Sequence, residues 1–296
     1  MALLTLPSFA KINWTLDVLG KRTDGYHELR TIYQTVGLAD QMVVELTGSP
    51  GIEVVCDGAG VSGGPTNLAH RAAAAFFEAA GLAREAGANI WIRKAIPAGG
   101  GLGGGSSNAA TTLLGLEQLA GLRLPDATRF SIARALGADV PLFLIGGTVL
   151  GVGRGDEVYG LADAPTTSLV IANPGVHVPT ADVFRRFHSE LTAPDPVARL
   201  HSFVSALRFR NSQVSVGNDL EEAVVRDHPE VGDARAALLG TGAVRAWMTG
   251  SGASVVGIFE GAGAAVSAAE RLAEHGLWAR AVETIDRFAY GAALGI

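Results

Sequence analysis

The sequence predicts an α+β fold in two parts, and three observations predict it. Strand and helix patterns interleave without the regular alternation of a doubly wound parallel sheet. Apolar residues make up 48% of the chain and charged residues 18%, so material for a core is ample and a disordered composition is excluded. The length of 296 residues suits two domains or one large one, and DAPTTS at 163–168 offers a break between two. The division is placed at 1–160 and 161–296.

Taken in order, the elements justify that class. Residues 10–18, AKINWTLDV, alternate strictly, which predicts a half-buried strand. Ala10, Ile12, Trp14, Leu16 and Val18 share its apolar face; Lys11, Asn13, Thr15 and Asp17 share the polar one. Residues 20–28 read as a turn centred on Asp24-Gly25. Strands follow at 42–46 and 52–56, then a helix at 67–80 that Gly81 terminates, then a strand at 88–96. A glycine-rich segment leads to a helix running to Ala120, with Ser106 or Ser107 as its cap. Asp126 caps a further helix to Leu136, which GADVP at 137–141 ends. Strands are expected at 148–152 and 168–172. The second part reads as helices near 180–188, 196–207, 219–226 and 230–239, strands at 244–248 and 254–259, a helix at 263–274 and a strand at 278–285.

The chemistry concentrates in PAGGGLGGGSS, where six of the seven residues 99–105 are glycine. Glycine is entropically unfavourable in a folded chain, so such density asks for a reason. A strand, a run of bare backbone and a serine-capped helix form anion-binding geometry: the first helical turn has unpaired N–H groups at its positive dipole end, and glycines let a phosphate approach them. A flexible surface loop is the plainer alternative. The segment is no Walker A loop, because the only Gly-Lys pair, Gly20-Lys21, precedes Arg22. It matches G-x-G-x-x-G only as any glycine run would, and no acidic residue ends a following strand. The H-R-D and D-F-G motifs of protein kinases are missing.

Composition narrows the partners. A net charge of −6 argues against a nucleic-acid or anionic-membrane partner. Cys56, the single cysteine, excludes an internal disulfide and a multi-cysteine metal site. The N-terminus lacks a basic region before Pro7, and the longest apolar run, 140–153, contains four glycines and is short for a bilayer. A cytoplasmic location is expected. Glycine numbers 39, well above the usual share of about 7%, which points to many tight loops.

The glycine segment resembles the nucleotide loop of the GHMP kinases, a superfamily of small-molecule kinases. AKIN (10–13), DGYHEL (24–29), TNLAHRA (66–72), GADVP (137–141), PGVHVPT (174–180) and TGSGAS (249–254) stand around it in the order of one branch. That branch phosphorylates a cytidine diphosphate-linked methylerythritol in the non-mevalonate route to isoprenoids. Ala98 departs mildly from it, since a bulkier residue is common there. The resemblance implies a two-domain GHMP kinase fold, with a ribosomal-protein-S5-like N-terminal domain and a ferredoxin-like C-terminal domain, and a site in the cleft between them. It implies ATP as phosphoryl donor, with Mg²⁺ accompanying it and no protein metal cage. Other acceptors of the superfamily, mevalonate, homoserine or a sugar, are the alternative; a nucleotide-binding module and a dinucleotide-dependent oxidoreductase are rivals of other classes.

Residue by residue, the resemblance implies a phosphate cradle from Pro97, Ala98, Gly99, Gly100, Gly101, Leu102, Gly103, Gly104, Gly105, Ser106 and Ser107, with Asn67 and Lys94 near the adenosine. Asp139 is the candidate base for the attacking hydroxyl, although an aspartate beside glycine and proline is commonly a turn residue. Lys11 would set a positive charge beside it and the transferring phosphoryl group; by residue type alone it is a solvated strand lysine. Asn13 belongs to the acceptor site. Tyr26, His27 and Phe184 would present surfaces to the cytosine, with Thr180 a polar contact, while Phe184 could equally be a buried helix residue. TGSGAS is either a hairpin turn or a cover over the site, and the two are compatible.

Overall fold

The computed structural model describes residues 2–57, 63–187, 201 and 216–296. Two long strands, β1 (Ala2–Lys21) and β2 (His27–Thr47), pair antiparallel through most of their length. The turn between them is set by Asp24, whose Oδ1 accepts the Tyr26 N–H at 3.1 Å. β3 (Gly51–Asp57), β4 (Gly87–Arg93), β5 (Thr148–Gly153) and β6 (Glu157–Gly160) extend the sheet. The order is β3-β4-β2-β1, with β5 on the first half of β2 and β6 beyond it.

Helices α1 (Leu68–Ala79), α2 (Gly104–Ala120) and α3 (Asp126–Leu136) pack with this sheet around one core. Met42, Val44, Ile90 and Ile92 meet Phe76 of α1 and Ala109, Leu113 and Leu116 of α2. Residues 107–117 of α2 are all buried, as a helix sandwiched between a sheet and a second helix must be. Leu113 is fully buried, so Leu113→Ala is expected to destabilise the fold by about 3 kcal/mol, read from urea unfolding. An unchanged midpoint would mean that the core around α2 collapses freely.

In the second half, β7 (Ser168–Asn173) is followed by α4 (Thr180–Arg186), β8 (Gly217–Asn218), α5 (Glu221–Asp227) and α6 (Pro229–Gly240). β9 (Arg245–Met248), β10 (Val255–Ile258), α7 (Ala262–Glu274), β11 (Trp278–Glu283) and α8 (Arg287–Leu294) complete the chain. The order β11-β7-β10-β9, antiparallel throughout, is the ferredoxin-like arrangement. Its core is formed by the strands with α5, α6 and α7. The helix expected near 196–207 falls almost wholly outside the described residues. Among the described residues no helix is long and apolar enough to cross a membrane.

A third apolar cluster joins the halves: Ala10, Ile12 and Trp14 of β1 meet Leu169, Ile171, Trp247 and Val256. Trp14 and Trp247 stack at 5.6 Å, and Trp247 Nε1 donates to the Asn13 carbonyl at 2.7 Å. β8 also runs parallel to β1, so the first sheet carries a strand from the second half.

Several local expectations need correction. β1 is not half-buried: Lys11, Asn13, Thr15 and Asp17 are all nearly inaccessible, because its polar face is covered too. Its alternation is also broken. Asn13 faces Tyr33 while Thr15 faces Ile32, a bulge at Trp14 that switches the side-chain parity beyond it. Leu16 therefore lines the same cavity as Lys11 and Asn13, rather than following Trp14 into the interdomain cluster. Neither Ser106 nor Ser107 caps α2; the cap is Gly103 at φ 71°, and the helix starts three residues earlier than Ser107. Asp126 lies in the first turn of α3, with Pro125 at the cap. The first halves of β1 and β2, and all of β6 and α8, were not anticipated.

Candidate active site

β4 ends at Arg93, and the chain crosses to the start of α2 through the glycines. Gly99, Gly101 and Gly103 all have left-handed φ, 68°, 75° and 71°. The alternation turns the backbone repeatedly and favours concave arrays of N–H groups. Leu102 pins the loop: its side chain is buried in the interdomain cluster and its carbonyl accepts the Lys11 N–H at 3.0 Å. From the other half, the Ser254 N–H reaches the Gly100 carbonyl at 3.2 Å. Ser107 N donates to Gly103 O at 2.8 Å, so the N–H groups of Gly104, Gly105 and Ser106 precede the first intrahelical bond of α2. They form the positive end of a 17-residue helix.

Two cavities meet at this loop, and Gly99, Gly101, Gly103 and Ser106 line both. The first, about 530 Å³, is bounded by Thr66, Asn67, Leu68, Lys94, Pro97 to Ser106 and Asn108. Lys94 is 12% exposed; its ammonium is paired with Asp40 and lies 3.4 Å from Asn108 Oδ1. Asp40 is fully buried and also accepts from the N–H groups of Ala95 and Ile96, at 2.8 and 2.9 Å, and from Asn108 Nδ2 at 3.0 Å. One carboxylate thus fixes Lys94, the start of the loop and, through Asn108, the N-terminal part of α2. Asn67 caps α1, accepting the Ala69 N–H at 2.9 Å. Ser107 points away from both cavities; its buried hydroxyl accepts from Ser8 at 2.8 Å.

The second cavity, about 380 Å³, holds Lys11, Asn13, Tyr33, Asp139, Arg154, His177, Thr180 and Phe184 among its lining residues. Lys11 Nζ stands 3.4 Å from Asp139 Oδ2 and donates to Asn13 Oδ1 at 2.8 Å. Lys11 is 3% exposed and Asp139 32%, so the carboxylate is the partner that the cavity can reach. Asn13 is held in turn, its Nδ2 donating to Thr31 Oγ1 at 2.6 Å and its N–H to Thr249 Oγ1 at 2.8 Å. The TGSGAS segment forms the turn between β9 and β10 and reaches the site as well: Ser251 meets Thr180 hydroxyl to hydroxyl at 2.7 Å. Both readings of that segment hold together.

The aromatic group is arranged differently from a ready-made sandwich. His27 lies against Phe184 at 5.3 Å between centroids, tilted by 32°, which leaves no gap for a base between those two rings. Burial, with Lys21 adding to it, lowers the His27 pKa, which favours the neutral imidazole. Tyr26 is more than half exposed and lies under the Arg154 guanidinium, 5.0 Å from its ring centroid. Phe184 and Thr180 line the cavity; His27 and Tyr26 do not, but each contacts a residue that does, Phe184 and Arg154. Tyr33 and Arg154 were not identified from sequence, and His177 and Thr249 only as members of the PGVHVPT and TGSGAS motifs. The pairing of β2 with β1 would have revealed Tyr33, which lies opposite Asn13.

The chain is similar to known proteins along nearly its whole length. Residues 67–147 match the GHMP kinases N terminal domain, and residues 203–276 match the GHMP kinases C terminal domain. A 4-diphosphocytidyl-2-C-methyl-D-erythritol kinase of Citrifermentans bemidjiense is 44% identical over 286 residues, covering 96% of this chain and all of that one. A crystal structure of 4-(cytidine 5'-diphospho)-2C-methyl-D-erythritol kinase superposes with a TM-score of 0.82 at 37% identity, covering 95% of this chain and 99% of that one. A homoserine kinase from Cytophaga hutchinsonii, at 19% identity and a TM-score of 0.73 over 97% and 96% of the two chains, shares the fold. With its glycine loop between two cavities and near full-length identity to these enzymes, the chain belongs to the 4-diphosphocytidyl-2-C-methyl-D-erythritol kinase family of the GHMP kinases.

Proposed function

We propose that this protein transfers the γ-phosphoryl group of ATP to the 2-hydroxyl of 4-diphosphocytidyl-2-C-methyl-D-erythritol, a step of the non-mevalonate route to isoprenoid precursors. The observation that carries the reading is the Lys11–Asp139 pair at 3.4 Å, facing a cavity that shares its wall with the glycine loop. ATP occupies the cavity floored by Lys94, with its phosphates over the N-terminus of α2. The acceptor fills the other cavity, its alcohol directed at Asp139 and its cytosine toward Tyr26, His27 and Phe184. Asp139 takes the hydroxyl proton as the oxygen–phosphorus bond forms and the γ-phosphoryl group leaves ADP. Lys11 offsets negative charge on the transferring group, and the loop amides do the same from the donor side.

Among the described residues no cluster of three or more His, Cys, Asp or Glu forms a metal cage. A magnesium ion accompanying ATP would be held chiefly by triphosphate oxygens and water. Bound there, the ion would neutralise charge on the β- and γ-phosphates.

The test is an ADP-release assay with purified protein. The kcat/KM for the cytidyl acceptor is expected to exceed that for mevalonate or homoserine by at least about 10³-fold, since a site built to hydrogen-bond a base rejects acceptors that lack one. Equal or higher efficiency with mevalonate or homoserine would overturn the assignment.

A further inference from the structure

We infer that Tyr33 is a positioning residue of the transfer site: its hydroxyl holds one oxygen of Asp139 so that the other faces Lys11 and the acceptor alcohol. This rests on the reading of Asp139 as the base. Tyr33 lies on β2 opposite Asn13 and is only 3% exposed. Its hydroxyl donates to Asp139 Oδ1 at 3.2 Å, while Asp139 Oδ2 is the oxygen 3.4 Å from Lys11 Nζ. The same ring sits under the Lys11 ammonium, 5.3 Å from Nζ to the centroid. One side chain therefore touches both members of the pair, the Asp139 carboxylate through its hydroxyl and the Lys11 ammonium through its π face.

The surroundings are cut to fit a phenol. A Cβ at Gly151 of β5 would stand 2.6 Å from Tyr33 Cε2, and one at Gly155 would stand 2.5 Å from the hydroxyl oxygen. The rest of the ring belongs to the apolar core, where phenylalanine would pack as well and a buried hydroxyl is unfavourable unless bonded. The hydroxyl has one proton and two acceptors in reach, Asp139 Oδ1 and the Gly155 carbonyl at 3.3 Å. An ionised carboxylate is the stronger acceptor of the two. Burial, reinforced by Asp139, raises the phenol's pKa well above the ordinary tyrosine range, so the group remains a donor at neutral pH.

Held this way, Asp139 has one rotational freedom removed and one lone-pair edge left for the acceptor proton. The orientation bears on turnover and not on the binding of either substrate, so the two kinetic constants separate. Tyr33→Phe is expected to lower kcat about tenfold with both KM values within about twofold, the loss of one hydrogen bond to a charged group. Gly151→Ala, which drives a methyl group into the ring, should reproduce the kcat loss and add little to it in the Tyr33→Phe background. Thermal melts of each variant confirm that folded protein is assayed. A Tyr33→Phe enzyme with unchanged kcat, or with a loss seen only as raised KM, overturns the inference. Asp139→Asn assayed in parallel separates the failures: if it is inactive while Tyr33→Phe is unimpaired, the positioning role alone falls; if it is fully active, the base assignment falls and takes the positioning role with it.

Discussion

Asp139→Asn is expected to lower kcat by about 10³-fold while ATP binds with nearly unchanged affinity, because removing a general base commonly forfeits a factor of 10² to 10⁴. Asparagine keeps the shape, and its amide oxygen can still accept from the Tyr33 hydroxyl, now at 3.2 Å from Asp139 Oδ1. What disappears is the proton acceptor and one negative charge. Of the acceptors named above, Lys11 then retains only Asn13 Oδ1, at 2.8 Å. That cation is buried, but its lost partner is about one-third exposed and already screened by solvent, so the penalty to folding is modest, about 1 kcal/mol. The cavity proposed for ATP does not depend on the pair, since its Lys94 is neutralised by Asp40. Turnover and affinity should therefore part company: ADP release collapses, while calorimetric titration with ATP is almost unaltered. Turnover within about threefold of the parent enzyme would remove Asp139 from the chemistry.

The legible parts of this site were those written in local pattern. A strand, a glycine run and a helix are consecutive in sequence, so the loop and its helix terminus could be found without tertiary information. Lys11 and Asn13 share a face because they are two residues apart, upstream of the bulge at Trp14. The family motifs supplied the role proposed for Asp139, whose place beside glycine and proline is otherwise that of a turn residue. What escaped depends on pairing between distant segments. The bulge that sends Leu16 into the cavity of Lys11 and Asn13 is a property of β1 against β2 and leaves no mark in alternation alone. Residues 27–41 of β2 read ambiguously because both faces are covered, so polar and apolar residues are buried side by side: Thr31, Gln34 and Thr35 are as inaccessible as Ile32 and Val36. Lys94 reads as a surface lysine until the fold brings Asp40 under it. Ser107 reads as a cap until α2 is seen to begin at Gly104, which turns its hydroxyl inward to Ser8. α8 is short, has glycine at 291 and exposes Phe288, so its helical periodicity is weak.

Gly101→Ala is expected to lower kcat/KM for ATP by about 10²-fold, the usual consequence of moving a catalytic group by about an ångström. Two effects add. Alanine at φ 75° is strained by about 1 kcal/mol in its own backbone. The larger effect is steric: the new methyl carbon would stand 2.4 Å from the Thr249 carbonyl oxygen, 3.0 Å from that of Gly252 and 3.3 Å from the Gly252 nitrogen. These are backbone atoms of a segment that cannot yield freely. Asn218 Nδ2 donates to the carbonyls of Met248 and Gly250 at 2.9 and 2.7 Å, and Thr249 Oγ1 accepts the Asn13 N–H. The contact is reciprocal, since a Cβ on Gly250 would lie 2.8 Å from the Gly101 carbonyl oxygen. The two halves thus meet backbone to backbone, and any methyl group there separates the phosphate loop from the segment that reaches Asn13 and Thr180. Gly105→Ala is the control for the fold. Its methyl carbon would meet only Leu68 Cδ1, at 3.7 Å, with no left-handed backbone to strain, so its melting temperature should match the parent's. A Gly101→Ala enzyme with parental ATP kinetics would mean that the loop can shift without moving the phosphates, and that the close approach of the halves serves stability alone.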